Sequence, residues 1–228
     1  MRTVVLDDAA ELISAALKEF EELAIERLKY QPTVNVLLTG GTLGIAFIAG
    51  LQSLALPWER FHFRFSDERF VALDDADRNE HQALSAWPAL TNHLWRFPSP
   101  DLDLDQAATQ STRDFEEEFG ELAVPDAVFD ICILGMGPDG HIASLFPGRE
   151  CDERWVIAVS DSPKPPSMRL SLSYSAILKS RNVIFLASGK AKAEAVGKVF
   201  EGDDLPAAKV TGQIDTVWFL DRELSDEL

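Results

Sequence analysis

His141 stands in the stretch Asp130-Ile131-Cys132-Ile133-Leu134-Gly135-Met136-Gly137-Pro138-Asp139-Gly140-His141-Ile142-Ala143-Ser144-Leu145-Phe146-Pro147-Gly148, where an apolar run passes straight into a turn dense with glycine. An imidazole exchanges a proton near neutral pH, and a nearby carboxylate can fix its tautomer. Gly135, Gly137 and Gly140 remove side-chain bulk around Asp139 and His141, leaving both groups to face whatever binds at the strand end. His62, His81 and His93 have no such setting. One His and one Asp fall short of the ligand set that zinc or iron takes, so no metal is expected.

Two other stretches have the same form, a turn after a β-rich run. Leu38-Thr39-Gly40-Gly41-Thr42-Leu43-Gly44 leads from an apolar run into an amphipathic one. Backbone amides freed by glycine and the start of a helix favour a phosphate there, and Thr39 or Thr42 can add a hydroxyl. A dinucleotide-binding turn is the rival, with Asp67 placed as its ribose-binding acid, but Gly-Gly-Thr-Leu-Gly departs from Gly-x-Gly-x-x-Gly. The third turn, Phe65-Ser66-Asp67-Glu68-Arg69-Phe70, sets an acid and a base two positions apart. Cations come again at Arg169, which opens the alternating run Arg169-Leu170-Ser171-Leu172-Ser173, and at Lys192, shortly after Ser188-Gly189. A planar guanidinium and a mobile ammonium together can hold a phosphoryl group.

These turns need strands and helices to position them. Short β-rich runs occur at 34–38, 61–65, 128–134, 155–159, 182–186 and 216–220, which predicts a mostly parallel sheet covered by helices. Helical periodicity predicts a packing helix over 8–28, with Leu12, Ile13, Ala16, Leu17, Phe20, Leu23 and Ala24 on one stripe. Further helices are expected at 43–54, 80–90, 106–119 and 191–200, with Pro98, Pro100 and the stretch Pro163 to Pro166 marking loops. Open α/β sheets bind ligands outside the carboxyl ends of their strands, where all three turns fall.

Bulk properties narrow the partners. The 228 residues, 46% hydrophobic and 26% charged, suit one soluble globular domain spanning 1–228. A formal net charge of -17 disfavours nonspecific contact with nucleic acid or an anionic membrane, so an anionic ligand requires a local cluster of cations. The first residues lack the pattern of a secretory signal, and no apolar run approaches spanning length, which points to the cytoplasm. Cys132 and Cys151 read as reduced bystanders.

With those residues in place, the chain resembles the 6-phosphogluconolactonase family, which shares a structural superfamily with glucosamine-6-phosphate deaminases. The likeness spans nearly the whole chain. It rests on Thr39 to Thr42, Asp67-Glu68-Arg69, Gly135 to Gly148, Arg169 and Gly189-Lys190-Ala191-Lys192-Ala193, in the family's order. It implies a modified doubly wound α/β fold, a small sugar-phosphate substrate and no cofactor. The implied reaction is hydrolysis of 6-phospho-D-glucono-1,5-lactone, a step of the oxidative pentose phosphate pathway.

By resemblance His141 is the general base, Asp139 orients it, and Arg69 stabilises developing negative charge. Gly40, Gly41, Thr42, Asp67, Arg169 and Lys192 are the substrate and phosphate ligands. Which of Asp67 and Asp139 assists His141 is left open. Relatives often end the first turn in proline, so Gly44 is expected to loosen it. Many carry Ser where this chain has Arg78, expected either to add a cation or to face solvent. Deaminases typically continue Asp-Gly-His-Ile-Ala with Asn and Glu before Pro, where this chain has Leu145 and Phe146, and Phe cannot exchange protons. A deaminase-like isomerase and a noncatalytic sugar-phosphate binder are the alternatives. A monomer is expected, with weak self-association left open.

Overall fold

The computed structural model describes residues 1–122 and 126–228. Its strands are β1 (Arg2–Leu6), β2 (Val34–Leu38), β3 (Phe61–Phe65), β4 (Asp67–Arg69), β5 (Phe129–Gly135), β6 (Val156–Val159), β7 (Arg169–Leu172), β8 (Ser180–Ala187) and β9 (Asp215–Asp221). Its helices are α1 (Ala9–Leu28), α2 (Gly41–Leu51), α3 (Asn79–Ala86), α4 (Leu104–Phe119), α5 (Tyr174–Ile177), α6 (Ala193–Glu201) and α7 (Arg222–Ser225).

Six strands form one sheet in the order β1-β9-β8-β5-β2-β3, and every pairing within it is parallel. Central strands of such a sheet are covered on both faces, which is why β5 and β8 are almost wholly buried and their stretches Ile131 to Leu134 and Val183 to Ala187 read as continuous apolar runs. Helix α1 is started by Asp8, whose carboxylate accepts from the amides of Ala10 and Glu11 at 2.8 and 2.9 Å. It buries Leu12, Ala16, Phe20 and Ala24, one residue per turn along a single stripe.

From β2 the chain adds β3 on one side, and from β5 it adds β8 and β9 on the other. The winding therefore reverses between β2 and β5, and the crevice at their carboxyl ends is where such sheets take ligands. Thr39 Oγ1 accepts from the Gly135 amide at 3.4 Å and ties the two turns together there.

Three expectations change. β4, β7 and β6 form a separate three-stranded antiparallel sheet, so 155–159 does not join the parallel one. The expected helix 80–90 stops at Ala86 and gives way to a 3-10 turn at Pro88–Asn92, because Pro88 cannot extend an α-helix. β1 is an unexpected addition, a mostly exposed edge strand whose only apolar stretch is the short Val4-Val5-Leu6.

Candidate active site

The cleft lies over the carboxyl ends of β2, β5 and β8 and has a volume of about 460 Å³, within the range of small-molecule sites. The first turn forms one wall. Gly40 caps α2 and Gly41 adopts φ +76°, which a side chain would strain. A Cβ on Gly40 would lie 1.9 Å from Asn79 Oδ1, so the turn packs directly on α3. Gly44 is buried, and a Cβ there would sit 2.2 Å from the Thr39 carbonyl oxygen. The glycine thus closes the turn by tight packing, and the slack expected from the missing proline is not what places it.

The turn after β5 carries His141. Its Nδ1 lies 2.5 Å from Asp139 Oδ1, and Gly137 N–H donates to the His141 carbonyl at 2.9 Å. Gly140 supplies φ +83°. A Cβ on Gly137 would come within 2.1 Å of both Nδ1 and Cε1, so the imidazole lies flat on bare backbone. The Phe146 ring packs beside it with centroids 4.9 Å apart. Burial pushes the Asp139 carboxyl up, but the hydrogen bond and charge of His141 outweigh it and hold the group below its ordinary range. Asp139 is thus the carboxylate that meets the imidazole.

Asp67 does other work: its Oδ2 accepts from Ser144 Oγ at 2.6 Å and lies 3.9 Å from Arg169 Nη1. This pairing stands in the way of the ribose-binding role.

Cations enter from the small sheet and from the end of β8. Arg69 and Arg169 stand directly opposite each other in the β4–β7 ladder. Arg69 Nη1 donates to the Asp77 carbonyl, and its Nε has no partner among the described residues. Burial lowers the pKa of Arg169, Asp67 raises it, and Arg69 adds to the lowering. Lys192 lines the cleft beside Ser188, and its pKa is lowered first by burial and then by Lys164, against the opposing pull of Asp221. Asp221, at the end of β9, accepts from Ser188 Oγ at 2.6 Å, from the Gly189 amide and from the Leu224 amide.

The structure therefore brings Gly40, Gly41, Thr42, Asp67, Arg69, His141, Arg169 and Lys192 to one cleft, with Asp139 behind His141. Asp130, at the other end of β5, pairs with Arg27 instead. Arg78 neither adds a cation to the cleft nor faces solvent. It is fully buried and binds Glu80 Oε2, the Val71 carbonyl and the Phe97 carbonyl. Sequence reading passed over Lys164, Ser188, Asn79 and Asp221. Ser188 was legible as part of a turn after a strand, whereas Asp221 reads locally only as the cap of α7, because Ser188 and Gly189, the partners that tie it to the cleft, lie about thirty residues away.

A parallel sheet reversing at a crevice, an imidazole–carboxylate pair and a cluster of cations define an α/β protein built to hold a small anion and move a proton. The family model for glucosamine-6-phosphate isomerases/6-phosphogluconolactonase matches residues 7–218, and the chain belongs to that family. It is 36% identical to the 6-phosphogluconolactonase of Mycobacterium tuberculosis, with 98% of this chain and 97% of that one covered. It is 33% identical to that of Streptomyces coelicolor, over 99% and 94%. The crystal structure of the Thermotoga maritima 6-phosphogluconolactonase superposes with a TM-score of 0.86 at 27% identity, over 97% and 99% of the two chains. A monomeric glucosamine-6-phosphate deaminase superposes at 0.79 with 21% identity, which shows the shared fold.

Proposed function

We propose that this chain hydrolyses the 1,5-lactone of 6-phosphogluconate to the open-chain acid. The observation that carries the reading is the Asp139–His141 pair set in a cleft lined by cations. With Nδ1–H donated to Asp139, Nε2 is left with a free lone pair that takes a proton from water as its oxygen attacks the lactone carbonyl. The carbonyl electrons move onto oxygen, and Arg69 faces that oxyanion. When the tetrahedral centre collapses, the bond to the ring oxygen breaks and the imidazolium returns its proton to it. Arg169, Lys192 and the amides of the Gly40–Thr42 turn hold the phosphate, and that distant binding energy positions the carbonyl.

Phe146 supports hydrolysis over deamination, because an apolar ring packed on His141 supplies no second proton-exchanging group. The reading extends to a monomer, with weak self-association as the alternative. The protein works in the cytoplasm, which suits two free cysteines, one with its thiol pushed up to about 12 by burial. Among the described residues no helix is long and apolar enough to cross a membrane. The test follows lactone disappearance against its spontaneous hydrolysis, with glucosamine 6-phosphate as control. Acceleration of lactone loss without ammonia release is expected. A rate equal to the spontaneous one overturns the reading, as does ammonia release from the amine.

A further inference from the structure

The chain has 38 acidic residues against 21 basic ones, so a cation left without a carboxylate partner calls for a reason. Lys18, Lys29, Lys190, Lys198 and Lys209 each lie within 4.0 Å of a carboxylate. Lys164 and Lys192 have no such ion pair among the described residues, and both line the same cleft. They are close enough for the charge of one to depress the pKa of the other. Two ammonium groups lining one cleft, neither with a carboxylate partner among the described residues, are arranged for an anion that arrives from outside.

How Lys164 gets there is visible in the hydrogen bonds of Arg169. That guanidinium donates through Nε to the Pro166 carbonyl and through Nη2 to the Lys164 carbonyl, both at 3.0 Å. Ser162 Oγ donates to the Lys164 carbonyl at 3.0 Å, and Ser162 N–H donates to the Ser167 carbonyl at 3.0 Å, closing the loop on itself. Prolines at 163, 165 and 166 restrict φ, which reduces the entropy lost in holding this conformation. Arg169 therefore spends much of its donor capacity on the backbone of the 162–167 loop, and the exposed side chain of Lys164 remains available for a ligand.

We propose that Lys164 is a second phosphate-binding lysine, carried to the cleft by a loop that Arg169 pins, and that it sets the preference for a phosphorylated over an unphosphorylated lactone. This rests on the function proposed above and deepens it. A dianionic phosphate between two ammonium groups relieves their repulsion, an effect absent for a neutral lactone. Arg169 then acts on the phosphate partly through the loop.

The test compares wild type, Lys164→Ala and Lys164→Arg on 6-phosphogluconolactone and on unphosphorylated glucono-1,5-lactone, with calorimetric binding of 6-phosphogluconate alongside. Because Lys164 is exposed, the substitutions leave the fold intact. For Lys164→Ala we expect KM for the phosphorylated lactone to rise roughly tenfold with kcat within about twofold, and kcat/KM for the unphosphorylated lactone to stay unchanged. Lys164→Arg keeps most of the affinity, and the difference between wild type and Lys164→Ala shrinks as salt is raised. An equal loss on both lactones, or none on either, overturns the proposal. If wild type accelerates neither lactone the catalytic reading fails by itself, and the binding arm still decides: a roughly tenfold weaker Kd in Lys164→Ala supports the lysine's role. An unchanged Kd, or no binding even to wild type, overturns it.

Discussion

The carboxyl edge of the parallel sheet and the small antiparallel sheet both line the cleft, yet they hold their functional groups by different means. On the parallel edge, backbone does the holding: Gly41 and Gly140 have positive φ, and Gly137 lets the imidazole rest on bare chain. On the small sheet, long side chains reach out to their anchors, with Arg69 and Arg169 set opposite by strand register and steadied by the Asp67 carboxylate, the Asp77 carbonyl and the carbonyls of the 162–167 loop. The contrast follows from what each group must do. Proton transfer needs a hydrogen-bond distance and one ring orientation, and misplacement by about 1 Å can cost a hundredfold. A charge acts over several ångströms with an energy falling only as the inverse of distance, so a longer and more mobile side chain suffices.

The widest separation between the two regions should come from His141→Asn. Turnover is expected to fall by roughly a hundredfold to ten-thousandfold, while the Kd for 6-phosphogluconate stays near that of wild type. Retention of full kcat would break the comparison at its centre. On the other side, Arg69→Ala should lower kcat/KM by about a hundredfold or more, mostly through kcat, as removal of an oxyanion partner does. A rise in KM alone would instead make Arg69 one more anchor for the ground state.

A Gly137→Ala substitution asks whether the parallel edge truly works through backbone. The added methyl would come 2.1 Å from the imidazole, so the ring must turn. The loss expected is roughly a hundredfold in kcat, with phosphate affinity kept and thermal unfolding little changed. Wild-type turnover in that variant would show that the ring has freedom which the packing denies.

The smallest effect concerns how the small sheet is secured. Glu68, within β4, accepts from the amides of Arg69, Asn79 and Glu80 at 2.7, 2.7 and 2.9 Å, fastening the strand to the start of α3. Burial pushes its carboxyl up to about 7, against the pull of Arg78 and those amides. An acid whose pKa rises on folding binds its proton more tightly in the folded state. Its stabilising contribution is therefore complete below 4.5, declines as pH rises through about 7 and is absent above. Glu68→Gln puts an amide N–H against a backbone N–H and should cost about 1–3 kcal/mol. Melting curves at pH 5 and pH 8 should show a smaller pH-dependent loss in the variant than in wild type. Equal losses would mean that Glu68 does not titrate in this interval.

The same contrast governs how much was legible beforehand. The runs 34–38 and 61–65 match β2 and β3 end for end, because short stretches rich in Val, Leu and Phe, each followed by a turn, carry a strand signal even where Asn35, His62 and Arg64 interrupt them. β4 has only three residues, all polar, and no periodicity can announce it. Arg78 was unreadable in either of its expected roles because its partners are two backbone carbonyls and a buried acid, which leave no trace in spacing. Lys164 sat in a segment marked only as a proline-rich loop.

Local physical chemistry in the chain alone marked most of the strands and the glycine turns that carry Asp139 and His141, since each depends on residues within a few positions of one another, whereas the strand pairings and the choice of Asp139 over Asp67 as the partner of His141 came from the tertiary structure. Tertiary structure decided which charges meet: Arg69 with Arg169 across the ladder, Asp67 with Ser144, Asp221 with Ser188, and Lys164 with Lys192. Electrostatic neighbours are chosen by distance in space, and a chain that crosses between two sheets brings together groups separated by up to a hundred positions.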